Sequence, residues 1–344
     1  EQGYMIARTL QQFRSELCVE YLNPNIKEQL MADGFKYIYP LYSGDRMIGC
    51  LLMGEKLSEA AYRPEDFQFL AIRASQVATA IENAYLYEKL SEQERLKQEL
   101  ELARTIQTSS LPQSEPIVEG LDVAGASIPA MEVGGDYYAY FQSDARCLTL
   151  IVGDVSGKGM SAALYMSKLQ GIFSALHGHC FGPRELFLRA NPILYREMDK
   201  QAFVTASCAQ FDCPSKQVLF ARAGHVPLFQ FSGSTGEVHS HQPQGLGLGL
   251  EDKGVFVKLL EEQRLSYDCG DIFLFISDGV TEAFNKNKEA YGEERVKVLL
   301  KSLARKSARE IRDAIVEDLY YFTSGDQQDD DQTLVVVKIA DTTA

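Results

Sequence analysis

The chain has 344 residues, 45% of them hydrophobic, and a net charge of −14, enough apolar material for two packed domains. That acidity disfavours a general binder of nucleic acid or anionic membrane, which needs clustered Lys and Arg. Seven cysteines with no C-x-x-C among them fit a reducing cytoplasm rather than a disulfide framework or zinc ribbon, and no run of about 18 apolar residues is long enough to span a membrane.

Beginning at Glu1 rather than Met, the chain reads as a fragment of a longer protein. Residues 1–85 alternate short apolar strands with turns, and FKYIYPLYSGDRMIGCLLMGEKL predicts a hairpin about Ser43-Gly44-Asp45. A helix should follow. Pro64 sits where a first-turn proline belongs and Glu65 and Asp66 favour the positive helix end. Phe67, Leu70, Ala71, Ala74, Val77, Ala78 and Ile81 form one stripe that packs on the sheet. Nothing interrupts the pattern until Pro112, which predicts one helix from Pro64 to about Ser109, roughly 70 Å long at 1.5 Å per residue.

The second half of that helix, in a connecting segment over 86–113, is charged except for a thin seam: Leu86 and Leu90, then Leu96, Leu100 and Ala103. The six-residue step from Leu90 to Leu96 breaks the heptad. A solvated connector fits this pattern. So does a two-chain coiled coil or a helix docked on the next domain, since leucines are costly to leave wet. With Ile106, the end of the seam is expected to approach the following domain, giving a homodimer through this helix whose last turns bias the site beyond it.

Over 114–344 apolar strands recur: LDVAGASI, YYAYF, CLTLIVG, FVTASCAQF, QVLFARA, PLFQF, DIFLFIS and QTLVVVKIA. Helical patches run from Ser161 to Leu176, Pro183 to Met198 and Glu293 to Phe322. Strands and helices without strict alternation argue an α+β fold of two antiparallel sheets flanked by helices.

Within this region Gly157-Lys158-Gly159 invites a phosphate-loop reading, but IVGDVSGKGM lacks the G-x-x-x-x-G-K-[ST] spacing and the hydroxyl that holds magnesium. The carboxylates carry more. Asp136 precedes an aromatic strand, Asp154 closes CLTLIVG, Asp278 follows DIFLFIS, and Asp330, in the run Asp329 to Asp331, precedes QTLVVV. Bare carboxylates at converging strand edges are expensive unless paired or metal-bound, and hard oxygen ligands suit Mg²⁺ or Mn²⁺ better than zinc. His177 and His179 read as ordinary helix-end residues, His225 as a turn histidine, Gly245 to Leu250 as a loop, and Cys208 and Cys213 as buried thiols.

The ordered blocks VGGDYY, GDVSGKGMSAAL, AGHVPLF, GDIFLFISDGVTEAFN and DDDQTLVVV resemble the SpoIIE/RsbU branch of the metal-dependent serine/threonine protein phosphatases (PPM, protein phosphatase 2C-like). The resemblance implies an αββα sandwich and a centre of two Mn²⁺ or Mg²⁺ ions. It implies that Asp136 and Asp154 hold them with the carbonyl of Val155, and that Asp278 and Asp330 bind from the other side. Asp330 is preferred because it stands three residues before Thr333, with Asp329 and Asp331 as substitutes. Two departures stand out. Related eukaryotic enzymes carry a phosphate-binding arginine where this chain has Met131, leaving Lys158 or Arg222 as candidates, and Ala139 stands where relatives often carry another aspartate.

PLYSGDRMIGCLLMGEKLSEAAYRPEDFQFLAIRASQVATAIENAYLYEKL resembles the second half of a GAF sensory domain, without the nucleotide-binding pattern. The implied protein is a cytoplasmic, sensor-regulated phosphatase acting on a phosphorylated STAS-domain anti-sigma-factor antagonist. A catalytically weak scaffold of the same fold and a metal-dependent phosphodiesterase for a signalling nucleotide are the alternatives.

Overall fold

The computed structural model describes residues 15–178, 181–252, 254–325 and 328–340. The chain divides into two compact units, Glu1–Gln98 and Glu99–Ala344. The division falls inside the long helix, between the 85/86 and 113/114 boundaries expected from the sequence.

In the first unit, strands β1 (Leu17–Cys18), β2 (Tyr37–Ser43) and β3 (Arg46–Met53) form an antiparallel sheet, with helix α1 (Pro24–Ala32) between the first two. The expected hairpin turns at Gly44-Asp45, where Ser43 pairs with Arg46. Val19, Leu22, Ile26, Leu30 and Ile38 make one small core. Helix α2 runs unbroken over Pro64–Ser110, and its Ala74 and Ala78 are buried against Tyr39 and Leu41. Here the stripe is narrower than expected. Val77 and Ile81 are 41% and 48% exposed, because the close approach to the sheet runs through small alanines four residues apart and leaves those two side chains on the shoulder.

The second unit contains β4 (Leu121–Ile128), β5 (Tyr137–Asp144), β6 (Cys147–Val155), α3 (Met160–His177), α4 (Pro183–Glu197), β7 (Val204–Asp212), β8 (Gln217–Ala223), β9 (Leu228–Phe231) and β10 (Val238–His241). There follow α5 (Val255–Leu259), β11 (Glu262–Ser266), β12 (Ile272–Ile276), α6 (Asp278–Thr281), α7 (Gly292–Ser302), α8 (Ala308–Phe322) and β13 (Gln332–Ile339). Two five-stranded antiparallel sheets result, ordered β10-β9-β12-β13-β4 and β11-β8-β7-β6-β5.

The period of two along each strand builds the layers. Leu148, Leu150 and Val152 of β6, with Phe211 and Phe220, meet Phe273, Phe275, Val335 and Val337 of the other sheet in one buried cluster. The alternate residues turn outward. Ile151 and Cys208 pack under Met166, Leu169 and Phe173 of α3 and Phe187 of α4. Leu274 and Val336 pack under Val296 and Leu300 of α7 and Ile311, Ile315 and Leu319 of α8. The expected αββα sandwich is therefore the fold, with one correction: the patch from Glu293 to Phe322 is two helices. Ser307 starts the second with a reciprocal cap, its side chain accepting from the Glu310 amide while the Glu310 carboxylate takes the Ser307 amide.

Candidate metal centre

Strand parity brings the acids to one end of the sandwich. In β5, Tyr138 and Tyr140 face the space between the sheets, and in β6, Leu148, Leu150 and Val152 do, so Asp136 and Asp154 continue the inward series. Tyr137 pairs with Gly153, and one further step sets Asp136 opposite Asp154. In the second sheet Ile276 pairs with Leu334. Ser277 then donates its amide to the Thr333 carbonyl at 2.9 Å and accepts the Thr333 amide on its hydroxyl at 2.9 Å. Beyond that link stand Asp278, which opens α6, and the turn Asp329 to Asp331. Each sheet thus ends in acids at the same end of the core.

Their electrostatics are strained. Asp136 is 4% exposed, and burial, then the neighbouring Asp154, push its carboxyl well above the usual range. Its Oδ2 is buried without a hydrogen-bond partner. Burial first, then repulsion from Asp278, Asp330 and Asp331, pushes Asp154 up to about 7. Asp278 is raised by burial and then by Asp330. Among the described residues no three acidic, histidine or cysteine side chains close on one point; these acids are near enough to repel one another without doing so. Hydrated hard cations fit that arrangement, since Mg²⁺ keeps several waters and takes only one or two carboxylates from the protein. The orphaned Asp136 oxygen is a hard ligand left free for such an ion. The Val155 carbonyl lies beside this group: a Cβ on Gly135 would come within 2.9 Å of it and 3.5 Å of Asp154 Oδ1.

Asp331 and Asp330 divide the work of the acidic turn. Asp331 Oδ1 accepts the Ala130 amide at 2.8 Å, and its Oδ2 accepts the Gly135 amide at 2.6 Å and the Asp136 amide at 3.4 Å. Its lone pairs are spent on the loop that carries Asp136. A Cβ at Gly134 would lie 2.3 Å from that same Oδ2, so the first glycine of VGGD serves close approach. Asp330 is half-exposed and pairs through Oδ2 with Lys158 Nζ at 2.9 Å. The loop is also gripped from the end of α2, where Gln107 Oε1 accepts the Gly134 amide at 3.0 Å and its Nε2 donates to the Gly134 carbonyl.

Neither Gln107 nor the loop-holding role of Asp331 was visible in the sequence. A lone glutamine in a charged helix carries no pattern, although an aspartate abutting the D-x-x-T spacing was at least a candidate. The seam reading needs correction at its end. Ile106 is 60% exposed, whereas Leu100, Ala103 and Gln107, at helical spacings of three and four, are the partly covered positions.

The other singled-out residues have structural employment. Arg222 donates from Nε to the Pro243 carbonyl at 3.0 Å and also to the His225 carbonyl, which removes it as a phosphate ligand. His225 is buried, shares a hydrogen bond between Nδ1 and Thr205 Oγ1 at 2.8 Å, and is pushed down to about 4 by that burial. His177 stacks on Phe141 at 4.5 Å; His179 lies outside the described residues. Cys208 is buried as expected, and Cys213 is only partly so. Among the described residues no helix is long and apolar enough to cross a membrane.

A family model described as Stage II sporulation protein E (SpoIIE) matches residues 144–340, a span that includes Asp154, Asp278 and Asp330. The phosphoserine phosphatase RsbU of Bacillus subtilis (strain 168) is 30% identical over 246 residues, covering 72% of this chain and 71% of RsbU. The SiaA-PP2C domain of Pseudomonas aeruginosa has the same fold at a TM-score of 0.62 and 22% identity, covering 72% of this chain and 98% of that one. RsbX in complex with magnesium shares it at a TM-score of 0.51 and 16% identity, covering 66% and 98%.

Proposed function

The chain belongs to the SpoIIE family of PP2C-type serine/threonine protein phosphatases, and from that premise we propose that it hydrolyses phosphoserine or phosphothreonine in a STAS-domain protein at a centre of two divalent cations. The observation that carries the centre is the unpartnered Oδ2 of buried Asp136 beside an Asp154 pushed up to about 7. A fold that assembles such acids without compensating them with its own cations is built to receive charge from outside. The magnesium complex of RsbX supports the choice of a hard ion.

Asp136, Asp154 and the Val155 carbonyl would hold the ions from one side, and Asp278 and Asp330 from the other. When bound, such ions supply an activated water and stabilise charge on the transferring phosphoryl group. The chain's own residues do the rest. Asp331 and Gln107 fix the Gly134 to Asp136 loop, and the Ser277 to Thr333 link fixes the strand ends that carry Asp278 and Asp330. Asp154 must shed its proton to bind.

Regulation runs through α2. Leu86, Leu90 and Leu96 are 54%, 52% and 49% exposed, an apolar seam that a second copy would cover as a homodimer. The GAF-like first unit would supply the signal, and Gln107 the contact at the active-site loop. Phosphate release from a phosphorylated STAS-domain protein, measured with Mn²⁺ beside p-nitrophenyl phosphate and a cyclic dinucleotide, tests the reading. Fast turnover of the phosphoprotein alone supports it. Turnover of only the dinucleotide, or of none, replaces it with a phosphodiesterase or a scaffold.

A further inference from the structure

Lys158 sits in an unusual backbone setting. The glycines on either side of it, Gly157 and Gly159, have φ values of +98° and +71°, a region L side chains rarely adopt. The chain therefore turns sharply on both sides of one long cationic side chain, directly after the strand that carries Asp154. Lys158 Nζ lies 2.9 Å from Asp330 Oδ2 and donates to the Asp329 carbonyl. Among the described residues it is the one cationic side chain in ion-pair contact with Asp136, Asp154, Asp278 or Asp330. It is also half-exposed, so it can leave Asp330 without opening the core.

Two divalent cations would roughly neutralise the four carboxylates, and a phosphate monoester then brings two further negative charges. Arg104 lines the cavity on the Gln107 and Asp331 side of Asp136, whereas Lys158 is the cation paired with one of the four candidate acids. Met131 is apolar and Arg222 is committed to the Pro243 and His225 carbonyls. We propose that Lys158 is the phosphate-binding residue of this enzyme, held on Asp330 in the metal-free chain and released toward the substrate phosphoryl oxygens when a cation takes that carboxylate. The inference rests on the metal-centre reading above. An ammonium on a flexible four-carbon stem is suited to exchanging one anion for another, because it binds as a point charge without fixed geometry. In this scheme Lys158 and the metal compete for Asp330 and cooperate on the phosphate.

Calorimetry on the full chain separates these effects from turnover. Lys158→Gln should bind Mn²⁺ as tightly as the parent or several-fold more tightly, because a competing ammonium has gone. The Mn²⁺-loaded variant should bind inorganic phosphate roughly ten- to a hundred-fold more weakly, the scale of one lost charge-assisted hydrogen bond. Its KM for the phosphoprotein should rise, and Lys158→Arg should recover part of both losses. Weaker Mn²⁺ binding by Lys158→Gln would make the lysine a prop for Asp330, and unchanged phosphate affinity would leave it no part in recognition; either overturns the proposal. A parent chain that binds Mn²⁺ and phosphate with the expected lysine dependence but turns over no phosphoprotein sinks the substrate assignment alone. A parent that binds no Mn²⁺ overturns both.

Discussion

Asp136 and Asp271 are equally buried, each 4% exposed, and each precedes an apolar strand of the same sandwich, yet they are opposites. Asp271 accepts the Gly233 amide at 2.8 Å, the Gln230 side-chain amide at 3.0 Å and the Asp268 amide at 3.2 Å. Its carboxylate is satisfied by the chain itself. Asp136 leaves Oδ2 with nothing. The contrast recurs along one strand: β12 begins after Asp271 and ends two residues before Asp278, which burial and Asp330 push upward. Burial alone does not mark a functional acid. What distinguishes the two ends is whether the fold supplies the donors that a buried carboxylate requires.

The largest expected effect comes from removing charge at the unsatisfied end. Asp154→Asn or Asp278→Asn should lower Mn²⁺-dependent turnover by on the order of 10³-fold or more, since metal stabilisation of the transition state amounts to several kcal/mol. Their melting temperatures without metal should stay at or above the parent value, because each change removes a repelled carboxylate. Near-parental turnover at saturating Mn²⁺ in either variant would end the proposed chemistry.

A matched pair of substitutions sharpens the contrast further. In Asp271→Asn an amide donor replaces an oxygen that now accepts, leaving a buried N–H group facing another donor; urea titration should show a loss of about 2 to 3 kcal/mol. Asp136→Asn can place its new donor at the unpartnered Oδ2 position and removes repulsion from Asp154, and should fall within about 1 kcal/mol of the parent. Equal losses would mean that Asp136 is as structural as Asp271.

The sequence made the sandwich legible because its strands are apolar runs with turn residues between them. DIFLFIS and QTLVVV are buried on both faces and read as uninterrupted hydrophobic blocks. Strands such as VHSH at Val238–His241 and EQRLS at Glu262–Ser266 were invisible because they are short, polar edge strands whose pairing comes from the neighbouring strand. The four candidate acids were legible from their positions at strand ends. The division between Asp330 and Asp331 was not, since it depends on which carboxylate meets the amides of a loop about 200 residues away in sequence. Likewise, Val77, Ile81 and Ile106 match a helical stripe by periodicity and fail by accessibility. Periodicity gives the angle of a residue about the helix but not how wide a neighbouring surface covers it.

The raised carboxyl of Asp154 gives the unsatisfied end a pH signature. Between its ordinary value of 3.8 and about 7, the folded metal-free chain holds a proton that the unfolded chain has released. This contribution to stability is therefore present below pH 4 and lost as pH rises through about 7. Metal binding has the opposite sign, because the ion displaces that proton. Mn²⁺ affinity, measured by calorimetry, should fall about tenfold for each pH unit below 7 and level off above it. An affinity that is flat from pH 5.5 to 8 would show that Asp154 is ionised before the ion arrives.

The smallest effect concerns an apolar counterpart of the same logic. Leu90 is 52% exposed on α2, in line with the exposed Leu86 and Leu96, an apolar group left in water much as Asp136 Oδ2 is left without a donor. A dimer through this seam would cover Leu86, Leu90 and Leu96 from two chains, each buried methylene contributing about 0.8 kcal/mol. Because the step from Leu90 to Leu96 interrupts the heptad, the contact is incomplete and single positions carry little. Leu90→Lys should then weaken dimerisation by only about 1 kcal/mol, read as a roughly fivefold rise in the dissociation constant by light scattering or sedimentation. The phosphatase unit should keep its fold, since Leu90 belongs to the other compact unit. A parent chain that stays monomeric at high micromolar concentration would remove the seam as an interface. The exposed leucines would then carry no interface, and the functional reading would rest on the orphaned carboxylate of Asp136.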